Sequence, residues 1–474
     1  LFAIDSLTYG SEIVLRDEPE KEGYVFSGWS EAPEIMPAHS IIIRGYFDGD
    51  GCFSRHICRK IVSPCISILG TEQFLKGIVS NLPIKFKYVL RNNSNDQNIT
   101  KALYTYKFYL EWFINYMYKD ATIYLDRKYN LKYNPQTEIL ITVGGSEAID
   151  GAIRAIVNYG DEVIIPAYTY IATALAVVST GAVPVVAEID ETLMLDPDDI
   201  ENKITERTKV ILPVHMMGYP CDMDKIMAVA KKHNLFVLED ACQGNGGFFK
   251  GKRLGSIGDA GAFSFNYFKI ISAGEGGALL TNNQEIFEKA LIYHDSGAIA
   301  YFGDQMNGFS TEPVCGTEYR IGEITSAIMR EQFKKLDGIV RDLRKHKALL
   351  MKEIGDGVEY IPSNDYDGDS GIALTIKFDS EEKCKDFADK TGAMIPGYCG
   401  RHVYNDWKPI LEKKGAFHPL MNPFNFEVNK NVEYSEDMCE KSLAILKKCA
   451  HISIDCDWTE AQIKELAKKI KSAL

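Results

Sequence analysis

Between residues 160 and 240 the chain returns repeatedly to a short apolar run: Val163-Ile164-Ile165, Val183-Pro184-Val185-Val186, Val210-Ile211-Leu212 and Leu235-Phe236-Val237-Leu238. Each is too short for a stable helix and apolar at successive positions, as a strand covered on both faces should be. Helix-like stretches lie between them. This alternation predicts an α/β fold, a mostly parallel sheet flanked by crossover helices. One unit upstream, the pattern opens with the strand Glu138–Val143, the turn Gly144-Gly145-Ser146 and a helix running to about Asn158. Open parallel sheets bind ligands beyond the C-terminal ends of their strands, so the residues closing these runs are the first candidates for function.

The last run closes on Glu239-Asp240-Ala241-Cys242-Gln243. Phe263-Ser264-Phe265, Lys269 and the loop Gly274-Glu275-Gly276-Gly277 follow. A buried strand ending in an acid, then Ser-Phe-x-x-x-Lys and a glycine-rich loop, suits pyridoxal 5'-phosphate (PLP). Lys269 forms the Schiff base and Asp240 pairs with the pyridinium nitrogen, so that the ring withdraws electrons. Once released, Lys269 is placed to act as a general base. The Gly144-Gly145-Ser146 turn, with Glu147 in the first helical turn, offers a phosphate cradle, because free N–H groups and the positive end of the helix dipole face the anion.

In this order the motifs resemble the DegT/DnrJ/EryC1/StrS sugar aminotransferases from about Pro166 to the C-terminus, while residues 131–166 look more similar to class I/II aminotransferases of the same fold. The resemblance implies the PLP-dependent transferase fold type I with a smaller α+β C-terminal domain. It implies Lys269 and Asp240 as catalytic residues, and cofactor contacts from Gly145, Ser146, Glu147, Tyr170, Asp240, Gln243, Ser264 and Lys269. Tyr170 would stack on the pyridine ring, Gln243 reach the phenolic oxygen and Ser264 the phosphate. The implied reaction carries an amino group from glutamate or glutamine to a keto-sugar, of the nucleotide-linked class, in a homodimer. Within Cys315-Gly316-Thr317-Glu318-Tyr319-Arg320 there is one departure: Glu318 stands where the family has an Asn that reaches the neighbouring subunit's cofactor phosphate. A carboxylate there repels phosphate unless it is turned away, and Arg320 is a local partner for it. His215 reads as a structural cap. Gly400-Arg401-His402-Val403-Tyr404-Asn405-Asp406-Trp407 is similar to the branch acting on deoxy-octulosonates.

The chain ahead of this core has a different character. Residues 1–43, with Gly23-Tyr24-Val25-Phe26-Ser27-Gly28-Trp29, resemble one Listeria–Bacteroides (InlB-type) β-repeat. Residues 44–130, with Gly45-Tyr46-Phe47-Asp48-Gly49-Asp50-Gly51, resemble half of a LAGLIDADG homing endonuclease, an α+β module in which Asp50 would bind the catalytic metal. Charge follows the same division. Residues 44–128 hold 13 Lys/Arg against 7 Asp/Glu, whereas residues 1–43 hold 2 against 8.

These readings divide the chain into 1–43, 44–130, a PLP-binding domain at 131–354 and a small domain at 355–474. A net charge of -13 argues against nucleic-acid binding by the molecule as a whole. The 11 Cys show no C-x-x-C or zinc-like spacing and read as reduced thiols. No apolar run reaches membrane-spanning length and no signal peptide is recognisable, which places the protein in the cytoplasm. The alternatives to a sugar aminotransferase are a DNA-binding protein derived from an endonuclease, and an inactive mosaic of family fragments. A long helix is expected at Ile324–Ile354, and a terminal one at Thr459–Leu474 with Thr459 as its cap.

Overall fold

The computed structural model describes residues 137–297 and 308–474, and before them the backbone of four strands between residues 51 and 104. Asp50 and the whole of the repeat-like stretch 1–43 lie outside the described residues. By its contacts the chain divides into two compact units, Leu1–Lys119 and Asp120–Leu474. In the first, β1 (Gly51–Cys58), β2 (Ile61–Gly70), β3 (Tyr88–Asn93) and β4 (Asp96–Tyr104) form an antiparallel sheet in the order β1-β2-β4-β3.

The second unit starts with β5 (Ile139–Thr142), α1 (Gly145–Ile156), β6 (Glu162–Pro166), α2 (Ala172–Ser179) and β7 (Val183–Ala187). There follow α3 (Pro197–Lys203), β8 (Thr208–Ile211), α4 (Met223–His233), β9 (Phe236–Asp240) and a small hairpin of β10 (Phe248–Phe249) with β11 (Lys252–Arg253). Then come β12 (Ala260–Ser264), β13 (Gly277–Leu280) and α5 (Gln284–His294). Seven of these strands make one sheet in the order β5-β13-β12-β9-β8-β6-β7. Neighbours pair in parallel except around β13, which runs against both β5 and β12. The expected mostly parallel sheet is present.

The physical reason is burial on both faces. Every residue of β6 is buried, as are Val237 to Asp240 of β9, so continuous apolar runs are matched to a sheet sandwiched by helices. The charge in β6, Glu162, lies inside because Arg207, Thr205 and Thr208 hold its carboxylate. Burying a Val, Leu or Ile contributes roughly 1.5–3 kcal/mol.

The chain continues through α6 (Glu323–Phe333) and α7 (Leu336–Ile354) to β14 (Ala373–Lys377), α8 (Glu381–Thr391), α9 (Lys408–Leu411), α10 (Glu440–Leu446), β15 (Cys449–Ser453) and α11 (Glu460–Ala473). The long helix expected at Ile324–Ile354 is thus two. The break falls at Lys334-Lys335, both exposed, and lets Met329, Leu336 and Val340 enter one apolar cluster with Phe265 and Ile271. Further along α7, Leu343, Leu350 and Ile354 pack with Leu374 and Ile376 of β14, Phe387 of α8 and Ile463 and Ile470 of α11. Thr459 caps α11 as expected, in a reciprocal capping box with Gln462. Among the described residues no helix is long and apolar enough to cross a membrane.

Candidate active site

Because β13 is antiparallel to both neighbours, β5 points the same way as β12 and β9. The C-terminal ends of all three therefore lie on one edge of the sheet. There β5 delivers the Gly144-Gly145-Ser146 turn, β9 delivers Asp240 and β12 delivers Ser264. The approach is close enough to require glycine. A Cβ on Gly145 would lie 2.6 Å from the Cys242 sulfur and 2.8 Å from the Ser264 Cβ, and one on Gly277 would lie 2.4 Å from the Gly144 carbonyl carbon.

Several helices close their first turn with their own side chain: Asp196 on α3, Asp222 on α4, Asn283 on α5, Ser380 on α8 and Thr459 on α11. Helix α1 begins instead at Gly144, with no side-chain cap. Its first N–H groups stay open to an anion, next to exposed Ser146. Glu147 contributes differently from the expectation. Its carboxylate is buried and turned to His294 Nδ1 at 3.2 Å, so only its backbone faces the cradle. Burial raises the Glu147 carboxyl above the usual range, and His294 partly offsets this.

Asp240 is buried and its two oxygens are held separately. Thr173 Oγ1 donates to Oδ2 at 3.0 Å, and the Cys242 N–H donates to Oδ1 at 3.1 Å. Thr169 in turn hydrogen-bonds Thr173 at 2.9 Å. Gln243 uses its side-chain carbonyl to accept the Met217 N–H at 3.0 Å, which leaves its NH2 for a ligand. His215 is fully buried. The Cys221 N–H donates to its Nδ1, so Nε2 carries the proton toward Glu239 at 3.0 Å. Glu239 also accepts the N–H groups of Gly255, Ile257 and Gly258, which makes the pair a structural fastening under the site.

Lys269 sits in the loop between β12 and β13. The loop is fixed at its base by Phe265 N–H to the Gly276 carbonyl and Ala273 N–H to the Phe265 carbonyl. The Lys269 side chain is half-buried. Burial pushes the Cys242 thiol well above its usual range, Asp240 adds to the rise, and the nearby Lys269 charge opposes it. Lys269 therefore shares one electrostatic neighbourhood with Asp240 and Cys242. Tyr170 keeps 37% of its surface exposed.

The structure thus gathers Gly145, Ser146, Asp240, Gln243, Ser264, Lys269 and Tyr170 at one edge. It also adds residues to which the sequence assigned no role at the site. Thr173 orients Asp240 across 67 residues, and Asn245 holds the Ser264 carbonyl at 3.0 Å. Arg401 and His402 arrive beside Tyr170 from the far end of the chain. The one signal in the sequence is that Arg401 and His402 lie in the Gly400–Trp407 motif. Glu318 is turned onto Arg320 in a two-point pair of 2.6 and 2.7 Å, which lowers its carboxyl and keeps it charged.

Residues 132–471 match the DegT/DnrJ/EryC1/StrS aminotransferase family. The chain belongs to that family. The match takes in residues 132–165, so the stretch that looked more similar to class I/II enzymes is part of the same DegT/DnrJ/EryC1/StrS region. Neither the nuclease-like nor the repeat-like resemblance gains support from the comparisons. Among relatives, the chain is 35% identical over 307 residues to GDP-perosamine synthase of Escherichia coli O157:H7, covering 62% of this chain and 80% of that protein. It is 38% identical over 222 residues to dTDP-3-amino-3,6-dideoxy-alpha-D-galactopyranose transaminase of Aneurinibacillus thermoaerophilus, covering 46% and 59%. An aminotransferase from Psychrobacter cryohalolentis superposes with a TM-score of 0.57 at 26% identity, over 74% of this chain and 89% of that one. The fold of this DegT/DnrJ/EryC1/StrS region is that of the PLP-dependent aminotransferases.

Proposed function

We propose that the chain is a PLP-dependent aminotransferase that moves an amino group from glutamate or glutamine to a nucleotide-linked keto-sugar. The observation that carries this reading is the convergence of Gly145, Asp240, Ser264 and Lys269 on one sheet edge. The cradle fits a phosphate monoester: the α1 N-terminus is uncapped, its first N–H groups are open, and Gly145 packs so closely on Cys242 and Ser264 that the turn is held against the end of β12. When bound, the cofactor supplies an electron sink that acidifies the carbon next to the transferred amine.

The protein's own part follows from its geometry. The α1 N-terminus, Ser146 and Ser264 would hold the phosphate. Asp240, braced by Thr173 and the Cys242 N–H, would hold the proton of the ring nitrogen. The Gln243 NH2 would orient the phenolic oxygen, and Tyr170 would cover the ring. The Lys269 amine would form the covalent attachment and then carry a proton between the two carbons on either side of the transferred nitrogen. Two relatives are named for GDP- and dTDP-linked sugars, which supports the acceptor class. The same reading assigns residues 131–354 to cofactor binding and 355–474 to the small domain, with 1–43 and 44–130 as appendages. It places a homodimer in the cytoplasm. Exposed Tyr267, Phe268, Phe417 and Leu420 support the dimer.

The test is to incubate purified protein with PLP, reduce with borohydride and locate the label by peptide mass. The label should sit on Lys269 and be absent in Lys269→Ala. Glutamate plus a nucleotide-linked keto-sugar should then yield the amino sugar. A folded protein that takes no label, or takes it elsewhere, overturns the reading.

A further inference from the structure

Glu239 and Asp240 end the same strand, β9, but are held in different ways. The Glu239 carboxylate takes three backbone N–H groups and His215. Asp240 takes a backbone N–H on Oδ1, while its Oδ2 depends on a side chain, the Thr173 hydroxyl. That hydroxyl makes a second contact, with Thr169 Oγ1 at 2.9 Å. An ionised carboxylate only accepts, and a hydroxyl has one proton to give. Thr173 therefore donates to Asp240 and accepts from Thr169. The other acceptor open to Thr169, the Tyr170 carbonyl, is further away at 3.5 Å. The bonds run one way, from Thr169 to Thr173 to Asp240.

The outer end of this relay is fixed by backbone. The Thr169 N–H donates to the His402 carbonyl at 3.0 Å, and the Ile171 N–H to the Arg401 carbonyl at 2.8 Å. Between them, Tyr168 and Val403 form an antiparallel bridge. Thr173 stands in the first turn of α2, where its N–H bonds the Tyr170 carbonyl at 3.0 Å. Residues 401–403 thus clamp the segment that carries both threonines. Thr169 and Thr173 are 0% and 1% exposed, so a valine of the same shape leaves no room for water to replace the hydroxyl.

We propose that Thr173 is a positioning residue that holds the Asp240 carboxylate at one angle to the cofactor's ring nitrogen, and that Thr169 aligns Thr173. The inference rests on the functional reading above. With Oδ1 and Oδ2 tied to separate donors, the carboxylate cannot turn about its own bond. Its remaining lone pairs keep one direction, and a ring N–H is held along that line. Without the Thr173 hydroxyl, a buried oxygen loses its partner and the carboxylate loses its angle. The ring would then withdraw electrons less well, although no group touching the substrate had changed.

The test compares PLP-loaded wild type, Thr173→Val, Thr173→Ser, Thr169→Val and the double variant Thr169→Val/Thr173→Val. The readouts are the magnetic resonance of an isotope-labelled ring nitrogen in bound PLP, the rate at which glutamate exchanges its Cα hydrogen with heavy water, and the melting temperature. Thr173→Val should slow exchange about 10- to 100-fold, the size of a hydrogen bond lost to a charged group. The loss should fall on the maximal rate rather than on the glutamate concentration required. The nitrogen resonance should move toward its unprotonated position, and Thr173→Ser should restore both. Thr169→Val should act less strongly in the same direction, and should add nothing once Thr173→Val is present. A nitrogen resonance unmoved by Thr173→Val, whatever the melting temperature, overturns the proposal. So do losses that multiply in the double variant, because the two threonines would then act independently. If Thr173→Val does not fold, Thr169→Val decides alone by the same resonance. Failure of the Lys269 label in wild type defeats the functional reading instead.

Discussion

At the scale of single residues, the site is decided by how little room there is at Gly145. Gly145→Ala places a methyl 2.6 Å from the Cys242 sulfur and 2.8 Å from the Ser264 Cβ, so the cradle must open. Overpacking of this kind costs about 1–3 kcal/mol. The expected outcome is a lower melting temperature and weaker PLP uptake, read by thermal denaturation and by cofactor titration. A variant that melts and titrates like wild type would show that the turn is not held against Ser264. Gly145, Asp240 and Ser264 of the candidate site were legible in the sequence because each ends a strand or opens a helix, and Lys269 because of its spacing from Ser264-Phe265 and the glycine-rich loop. Thr173 and Arg401 were not, because their partners Asp240 and Tyr170 are distant in sequence and only the folded sheet brings them together. Glu147 was misjudged in one respect: position in a first helical turn does not say which way a side chain points.

At the scale of elements, the apolar runs declared the sheet but not its one reversal. Nothing in Gly277–Leu280 distinguishes an antiparallel strand from its parallel neighbours. The same limit applies to the break between α6 and α7, where no proline or glycine marks the two lysines at the turn. Capping was easier to read. Thr459 begins α11, and its hydroxyl accepts the Gln462 N–H while the Gln462 side chain accepts the Thr459 N–H. Thr459→Ala should cost about 0.5–2 kcal/mol, checked by urea unfolding. Because α11 packs its buried face on α7 and β14, the loss should register in global unfolding rather than as local fraying. An unchanged urea midpoint would place α11 outside the cooperative unit.

At the scale of the whole molecule, the small sheet of β14 and β15 is joined to the strand-end segment carrying Tyr170 by a buried polar chain. Tyr168 bonds His451 Nε2 at 3.0 Å, and His451 Nδ1 bonds Thr375 at 2.5 Å. Complete burial, with the charge of Lys347, lowers His451 to about 3. The folded chain thus refuses a proton that the unfolded chain accepts below the ordinary value of 6.5. Stability from this group is full above that value and is lost as pH falls through the window down to about 3, at about 1.4 kcal/mol per unit. His402 acts in the same direction and Glu147, with its raised carboxyl, in the opposite one. The readout is therefore a difference. Between about pH 7.5 and about pH 5, wild type should lose on the order of 2 kcal/mol more than His451→Asn, measured by urea unfolding. Identical acid limbs would remove His451 from the account. Beyond titration, the reversed strand β13 has a consequence in time. Its partner β5 lies at the other end of the sheet-forming segment, so the Gly144–Ser146 turn meets Ser264 only after some of the most sequence-distant pairing in the sheet is made. Non-local pairing of this kind is slow to form. Cofactor capture should therefore come late in folding, as a clock for closure of the sheet.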